Sequence, residues 1–418
     1  AFLDRAMAEV LGAIDLTKLH ISDDASNAAV PRDAAPTTTT DAAAARNDEA
    51  WAWYASIGSP KLFVAPLVGY SEPAFRVLCR TLGAQCCSTP MIDAAGYAAS
   101  PRYRAEYAFS GGAADRPLTA QLGGSDPAAL ARAAALVAAT GHCDAVELNM
   151  GCPQRCAKKT GSGAFLMEDP ARAVACIKAM RAALDAHNAG RPAGAPKVAC
   201  VVKIRCFDDV ARTLALAAAL ERAGAEMLTV HGRTRHAGGG RRTAAQLANW
   251  DWIRAVKERA GIPVISNGNV RHAADVAACF EATGADGVMS GVGCLRRPHA
   301  VFTAHAVSSR RDVAAMYCDA AAATSATPRQ VHAHLVGKLA LTSAAALRRA
   351  PDLRALLGAL DTAHPWATTG TTPAALAKIF RDLPDDGGDD DRASDDEHGT
   401  PVDDGCGGWQ KVWRDKRF

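Results

Sequence analysis

Within ELNMGCPQRCAKKTGSGA (residues 147–164) an apolar stretch runs directly into a cysteine, a proline and two adjacent lysines. A buried strand ordinarily ends in small polar turn residues; this one delivers a thiol and a cluster of positive charge to one place. A thiol near its usual pKa of about 8.5 is mostly protonated at neutral pH and can act as a general acid. Cys152 is therefore the candidate proton donor, suited to saturating a carbon–carbon double bond from the face opposite an incoming hydride. The opposing reading is a buried structural cysteine, the commoner fate of the residue type. Its neighbours Asn149, Pro153, Arg155, Lys158 and Lys159 tip the balance, because these cations suit a nearby phosphate backbone better than they suit packing.

The elements that must position such a thiol follow from an alternation beginning at Lys61. Eight short apolar runs, at 62–68, 84–90, 117–122, 144–150, 197–204, 226–232, 262–268 and 286–291, are each followed by a longer alanine-rich amphipathic stretch. Eight strands alternating with helices predict a (β/α)8 TIM barrel over 61–305, whose active site lies at the C-terminal ends of the strands. Those ends carry Pro66, Leu67 and Val68, then Gln121, Asn149 with Cys152, Lys203, His231, Asn267, Gly268 and Asn269, and finally Gly291, Val292 and Gly293. SNGNV (266–270) and SGVGC (290–294) follow the seventh and eighth runs, where barrels usually bind phosphate on backbone N–H groups. If the cofactor is a flavin, Lys203 is placed to stabilise its reduced, anionic ring, and Gln121 and His231 can donate to the ring's other polar atoms and the ribityl chain. A lysine ending a long apolar strand is costly to bury without such a role.

The remainder of the chain sets bounds. No run approaches the roughly 20 apolar residues of a membrane span, and no secretory leader is read at the start, so a cytoplasmic protein, with the nucleus as a second possibility, is expected. Thirteen cysteines, an odd number without CxxC or HExxH spacing, argue against a disulfide framework and against a metal. The 47 basic and 44 acidic residues give a net charge of +3. Eight of the acids and one base lie within 385–397, so the rest carries a surplus of about ten positive charges that suits a polyanion. Residues 1–55 read as disordered or weakly ordered, 310–380 as a small all-α domain, and 385–418 as an acidic then basic disordered tail.

VAPLVGYSEPAFRVLCRTLGA, ELNMGCPQRCAKKTGSGAFL, VKIR, VHGRTR and ISNGNV, in that order and spacing over Lys61 to Arg349, together resemble the tRNA-dihydrouridine synthases. STPMIDA and VHAHLVGKL resemble the eukaryotic branch acting at D-loop positions 16 and 17. The resemblance implies FMN held by Pro66, Leu67, Val68, Gln121, Lys203, His231, Asn267, Gly268, Asn269, Gly291, Val292 and Gly293, with NADPH as reductant. It implies hydride transfer to C6 of a uridine while Cys152 protonates C5. Asn149, Arg155, Lys158, Lys159, Arg233 and Arg235 fall to the substrate, the helical domain to tRNA binding, and a monomer is expected. Where many members carry Arg or Glu this chain has Val292, and Arg297-Pro298 replaces their Asn-Pro, so Arg296 or Arg297 is the candidate for the missing charge.

Two other readings stay open on the residues alone. One is an FMN barrel that reduces free pyrimidines, of the dihydroorotate or dihydropyrimidine dehydrogenase type. The other is a tRNA-binding protein without catalysis.

Overall fold

A computed structural model describes residues 41–107, 109, 111–192, 194–237, 247–302, 310–324, 326–338 and 371–382. Its strands are β1 Leu62–Val64, β2 Cys86–Ser88, β3 Ile92–Asp93, β4 Leu118–Gly123, β5 Ala145–Met150, β6 Ala199–Cys206, β7 Leu228–Thr234, β8 Val264–Asn267 and β9 Gly287–Ser290. Eight of them close a parallel ring in the order β1, β2, β4, β5, β6, β7, β8, β9, with β9 pairing back onto β1 from Leu62 beside Val288 to Val64 beside Ser290. This is a TIM barrel, and each of the eight apolar runs holds one barrel strand. β3 is an addition: two residues within STPMIDA that pair with the far end of β4.

The period-2 alternation of a strand sorts the side chains. Phe63, Ala145, Ala199, Val201, Met227, Ile265 and Met289 point into the barrel and form one apolar cluster. The alternate positions, among them Val64, Leu118, Val146, Leu148, Val202, Ile204 and Val230, pack with the surrounding helices in a second, larger one. Continuing the inward stripe toward the C-terminal ends changes its chemistry, from Ala145 to Glu147 and Asn149, from Val201 to Lys203 and Arg205, and from Met227 to Thr229 and His231.

The opposite end of the barrel is closed by a segment expected to lack order. Residues Asp41–Ser56 form a helix that puts Trp53 and Tyr54, 3% and 1% exposed, into the inward cluster. The Trp53 indole N–H donates to the Asp144 carbonyl at 3.2 Å, and Trp51 donates to the Gly261 carbonyl at 2.8 Å. Burying these aromatic rings supplies the tertiary packing that an isolated helix of a few turns lacks in water; residues 1–40 lie outside the described residues.

Three acids repeat one device around this floor. Asp144, Glu226 and Asp286 each stand just before a strand and accept a backbone N–H at the start of the preceding barrel strand, from Leu118, Cys200 and Val264 at 2.7, 2.8 and 2.7 Å. Each also pairs with a base: Arg116 at 2.6 Å, Lys197 at 2.5 Å and Lys257 at 2.8 Å.

Past residue 310 the described elements are helical: Arg310–Ala323, Pro328–His332 with a turn of π-helix to Lys338, and Pro373–Asp382. Val313, Tyr317, Leu376 and Phe380 share the cluster of Phe75 and Leu78 from the helix after β1. At that junction buried Glu72 accepts from Tyr317 Oη and pairs with His334 Nε2, both at 2.9 Å, and the His334 ring stacks on Phe75 with centroids 5.0 Å apart. Residues 339–370, which include Arg348 and Arg349, and the acidic tail lie outside the described residues.

Candidate functional site

The mouth of the barrel collects the polar strand ends. Gln121 and Glu147 sit opposite each other on β4 and β5, and Asn149 and Lys203 do so on β5 and β6. Gln121 Nε2 donates to Glu147 Oε1 at 2.7 Å, and Gln121 Oε1 accepts from Asn149 Nδ2 at 2.7 Å. Asn149 Oδ1 accepts in turn from the backbone N–H groups of Gly151 and Cys152, at 3.1 and 3.0 Å. Cys152, part-exposed, is thus tied to the barrel wall by its main chain. The glycine-rich sequence after it has a steric reason: at Gly163, with φ +57°, a Cβ would lie 2.5 Å from the Cys152 carbonyl oxygen.

Lys203 is 8% exposed and donates to Asn267 Oδ1 at 2.8 Å, while Asn267 Nδ2 donates to the Met289 carbonyl at 2.9 Å. Burial lowers the Lys203 ammonium to about 8, opposed by nearby Glu147 and reinforced by Arg205. Burial likewise raises Glu147 to about 7, against the pull of Lys203 and the hydrogen bond from Gln121. Arg205 donates to the Gly151 carbonyl at 2.6 Å and the Thr234 carbonyl at 3.0 Å, behind the Cys152 loop. Its guanidinium is pulled down to about 10 by burial and then by Arg233, and it interacts electrostatically with the Cys152 sulfur.

His231 is held neutral, well below its usual value, by burial and by Arg205, Lys203 and Arg233. Arg233 approaches His231 Nε2 at 3.1 Å, and since a guanidinium can only donate, Nε2 accepts and the ring carries its proton on Nδ1. Arg233 also donates to Asn269 Oδ1 at 2.9 Å. Asn269 has its side chain committed to Ala248 on both sides, at 2.9 Å each, and adopts φ 63°. Beside it Gly268 has φ +117° and lies so close to Ala248 that a Cβ would be 2.6 Å from that residue's own.

Gly291 caps the short helix Val292–Arg296, leaving the Val292 side chain 48% exposed. Ser290 Oγ ties this turn to the loop after β8, donating to the Val270 carbonyl at 2.8 Å and accepting from Cys294 N at 3.0 Å. Pro66, Leu67 and Val68 follow β1, where Leu67 N donates to Ser71 Oγ at 2.9 Å.

The cationic residues expected to meet substrate divide into two groups. Arg155, Lys158 and Lys159 stand exposed on the helix Arg155–Thr160 that follows Cys152. Arg235 instead pairs with Glu168 at 3.1 Å and lies over the Phe165 ring, 5.1 Å from its centroid. Glu147 and Arg205 were not singled out as site residues. The signal for both is their spacing, since each lies two residues from an inward-facing site residue, Asn149 and Lys203 respectively, on the same face of a strand.

Among the described residues no group of three or more His, Cys, Asp or Glu could hold a metal ion, and no helix is long and apolar enough to cross a membrane. Residues 63–348, more than half of the chain, match the family described as dihydrouridine synthase (Dus). The chain belongs to the dihydrouridine synthase family.

Among its relatives, a tRNA-dihydrouridine(16/17) synthase NAD(P)(+)-like protein of Rattus norvegicus is 40% identical over 247 residues, 59% of this chain and 52% of the relative. The tRNA-dihydrouridine(16/17) synthase of Saccharomyces cerevisiae is 39% identical over 246 residues, 58% and 54% of the two chains. A tRNA-dihydrouridine(20a/20b) synthase-like protein of Mus musculus is 35% identical over 237 residues, 56% and 67%. The chain spans about half the length of the first two. The floor helix Asp41–Ser56 precedes the residues matched to the dihydrouridine synthase family.

Proposed function

We propose that this chain is an FMN-dependent tRNA-dihydrouridine synthase that reduces a D-loop uridine at position 16 or 17, with NADPH as reductant. The observation that carries the reading is a barrel mouth with Lys203, Arg205 and Arg233 crowded about a neutral His231, next to the part-exposed thiol of Cys152. Cations gathered in this way suit an anionic, phosphate-bearing group. FMN fits that donor set. When bound it would supply the hydride that adds to C6, having received it from NADPH.

The chain's own residues do the rest. Lys203, fixed by Asn267, offers its ammonium to the anionic edge of the ring. Gln121 has one amide N–H left after serving Glu147, and His231 can donate only from Nδ1. Arg233, steadied by Asn269, and the backbone around Gly268 and Gly291–Gly293 face the phosphate. Cys152 donates its proton to C5 of the uracil and, being part-exposed, regains one from solvent. Arg155, Lys158 and Lys159 meet the RNA backbone, and the helices beyond 310 hold the body of the tRNA. A uridine must leave its stack to reach the mouth, at a cost of a few kcal/mol that such contacts offset.

The test is reconstitution: the full chain with FMN and NADPH is given tRNA, uracil and orotate in turn, and dihydrouridine is mapped along the tRNA. Product at 16 or 17 is expected. Reduction of the free pyrimidines with tRNA untouched would replace this reading by the dehydrogenase one, and binding of tRNA without flavin or turnover would replace it by the non-catalytic one.

A further inference from the structure

We infer that Glu147 is the positioning residue of the barrel mouth: its carboxylate decides which way the Gln121 and Asn149 amides face and keeps Lys203 a cation. The inference rests on the reading of the site given above, but its first test does not.

What each neighbour can donate or accept fixes the two amides. A carboxylate only accepts, so Gln121 must turn its NH2 toward Glu147 Oε1, 2.7 Å away. Its carbonyl then points at Asn149 and can be met only by the Asn149 NH2, at 2.7 Å. Asn149 is left with its carbonyl toward the Gly151 and Cys152 N–H groups. A reversal at any link would set like against like, so the polarity imposed by Glu147 runs across two strands to the backbone of Cys152. One N–H remains on each amide. Gln121 and Asn149 therefore present only donors to a ligand, which selects acceptors such as the carbonyl oxygens of a pyrimidine or a flavin ring.

The groups acting on Glu147 are Gln121 from β4, Lys203 from β6 and Thr229 from β7, an amide, a cation and a hydroxyl. Arg205 and the neutral His231 bear on Lys203 in turn. Glu147 Oε2 is buried and has no hydrogen-bond partner among the described residues. A bare buried carboxylate oxygen is expensive to keep, and the charge that favours it here is the Lys203 ammonium, which the site needs as a cation. Without it, burial and Arg205 would act on Lys203 unopposed.

Two measurements on the full chain separate the parts. In flavin-free protein, the pH dependence of Lys203 acylation by acetic anhydride, read by mass spectrometry, should have its midpoint near 8. Glu147→Gln should lower that midpoint by about one unit, a tenfold change in the protonation ratio, whereas Glu147→Asp should keep it. An unmoved midpoint in folded Glu147→Gln, or an equal shift in Glu147→Asp, overturns the inference. Should Glu147→Gln fail to fold, the Asp variant carries the decision: it must keep the Lys203 midpoint while weakening FMN binding through the lost Gln121 contact.

The second measurement is FMN affinity in a cycle of Glu147→Gln with Lys203→Met. Each single substitution should weaken binding at pH 8 and the double by clearly less than the product of the two losses, because part of the effect of Glu147 passes through the lysine. Losses that multiply would overturn the inference. Wild-type protein that binds no FMN would sink the proposed function, while the acylation midpoint would still decide the role of Glu147.

Discussion

The two ends of the barrel use buried charge in opposite ways. At the floor Asp144, Glu226 and Asp286 each accept an N–H at a strand's start and each meet a base, so that acid and base are matched one to one or better. At the mouth Lys203 lies near the buried acid Glu147, while Arg205 sits beside Arg233, and the lysine and Arg205 are held below their ordinary values by burial and by a neighbouring cation. A matched set is complete in itself. Buried cations that depress one another cost stability, and such a cluster suits a place where something negative arrives. In this molecule, the balance of buried charge separates scaffold from site.

The contrast can be broken from either side. The largest effect is expected from Cys152→Ala, which removes the proton donor while leaving the cationic cradle whole. FMN should bind and be reduced by NADPH as in wild type, but dihydrouridine formation should fall about 10²–10⁴-fold. Turnover within a few-fold of wild type would return Cys152 to the structural cysteines.

A change at the floor should act on stability instead. Trp53→Ala removes a 3% exposed ring from the inward cluster and its hydrogen bond to Asp144, and should cost about 3–5 kcal/mol in unfolding free energy. FMN affinity of the folded fraction should be unchanged. A variant with the stability of wild type, or one with weakened flavin binding at full stability, would erase the distinction between the two ends.

The smallest effect on the protein itself belongs to the rim. Lys158→Ala and Lys159→Ala, at exposed positions, should leave stability within about 0.5 kcal/mol. They should weaken tRNA binding and lower the slope of log affinity against log salt by about one for each charge removed. An unchanged slope would remove both lysines from the RNA contact.

Much of this was legible in the residues. The eight apolar runs located the barrel strands, and knowing that barrels work at their strand ends was enough to pick out Gln121, Asn149, Cys152, Lys203, His231 and Asn267. Less legible was the helix Asp41–Ser56. Its alanines resemble those of the preceding low-complexity stretch, and only the aromatic cluster at 51–54 distinguishes it. Aromatic rings order a segment when a cavity exists to receive them, and the open floor of a barrel does not appear in any local pattern.

What the sequence determined alone is therefore the order of strands and helices and the residue types delivered to the mouth, because strand alternation and apolar periodicity are local properties of the chain. The tertiary structure decided who faces whom. Glu147 meets Gln121 and acts on Lys203 only because β5 lies between β4 and β6 in this register. Arg205 reaches the Cys152 loop because β6 extends past β5 on its inward face. Partnerships of this kind set the protonation states of the site, and they depend on desolvation and on distances across strands, which exist only once the barrel has closed.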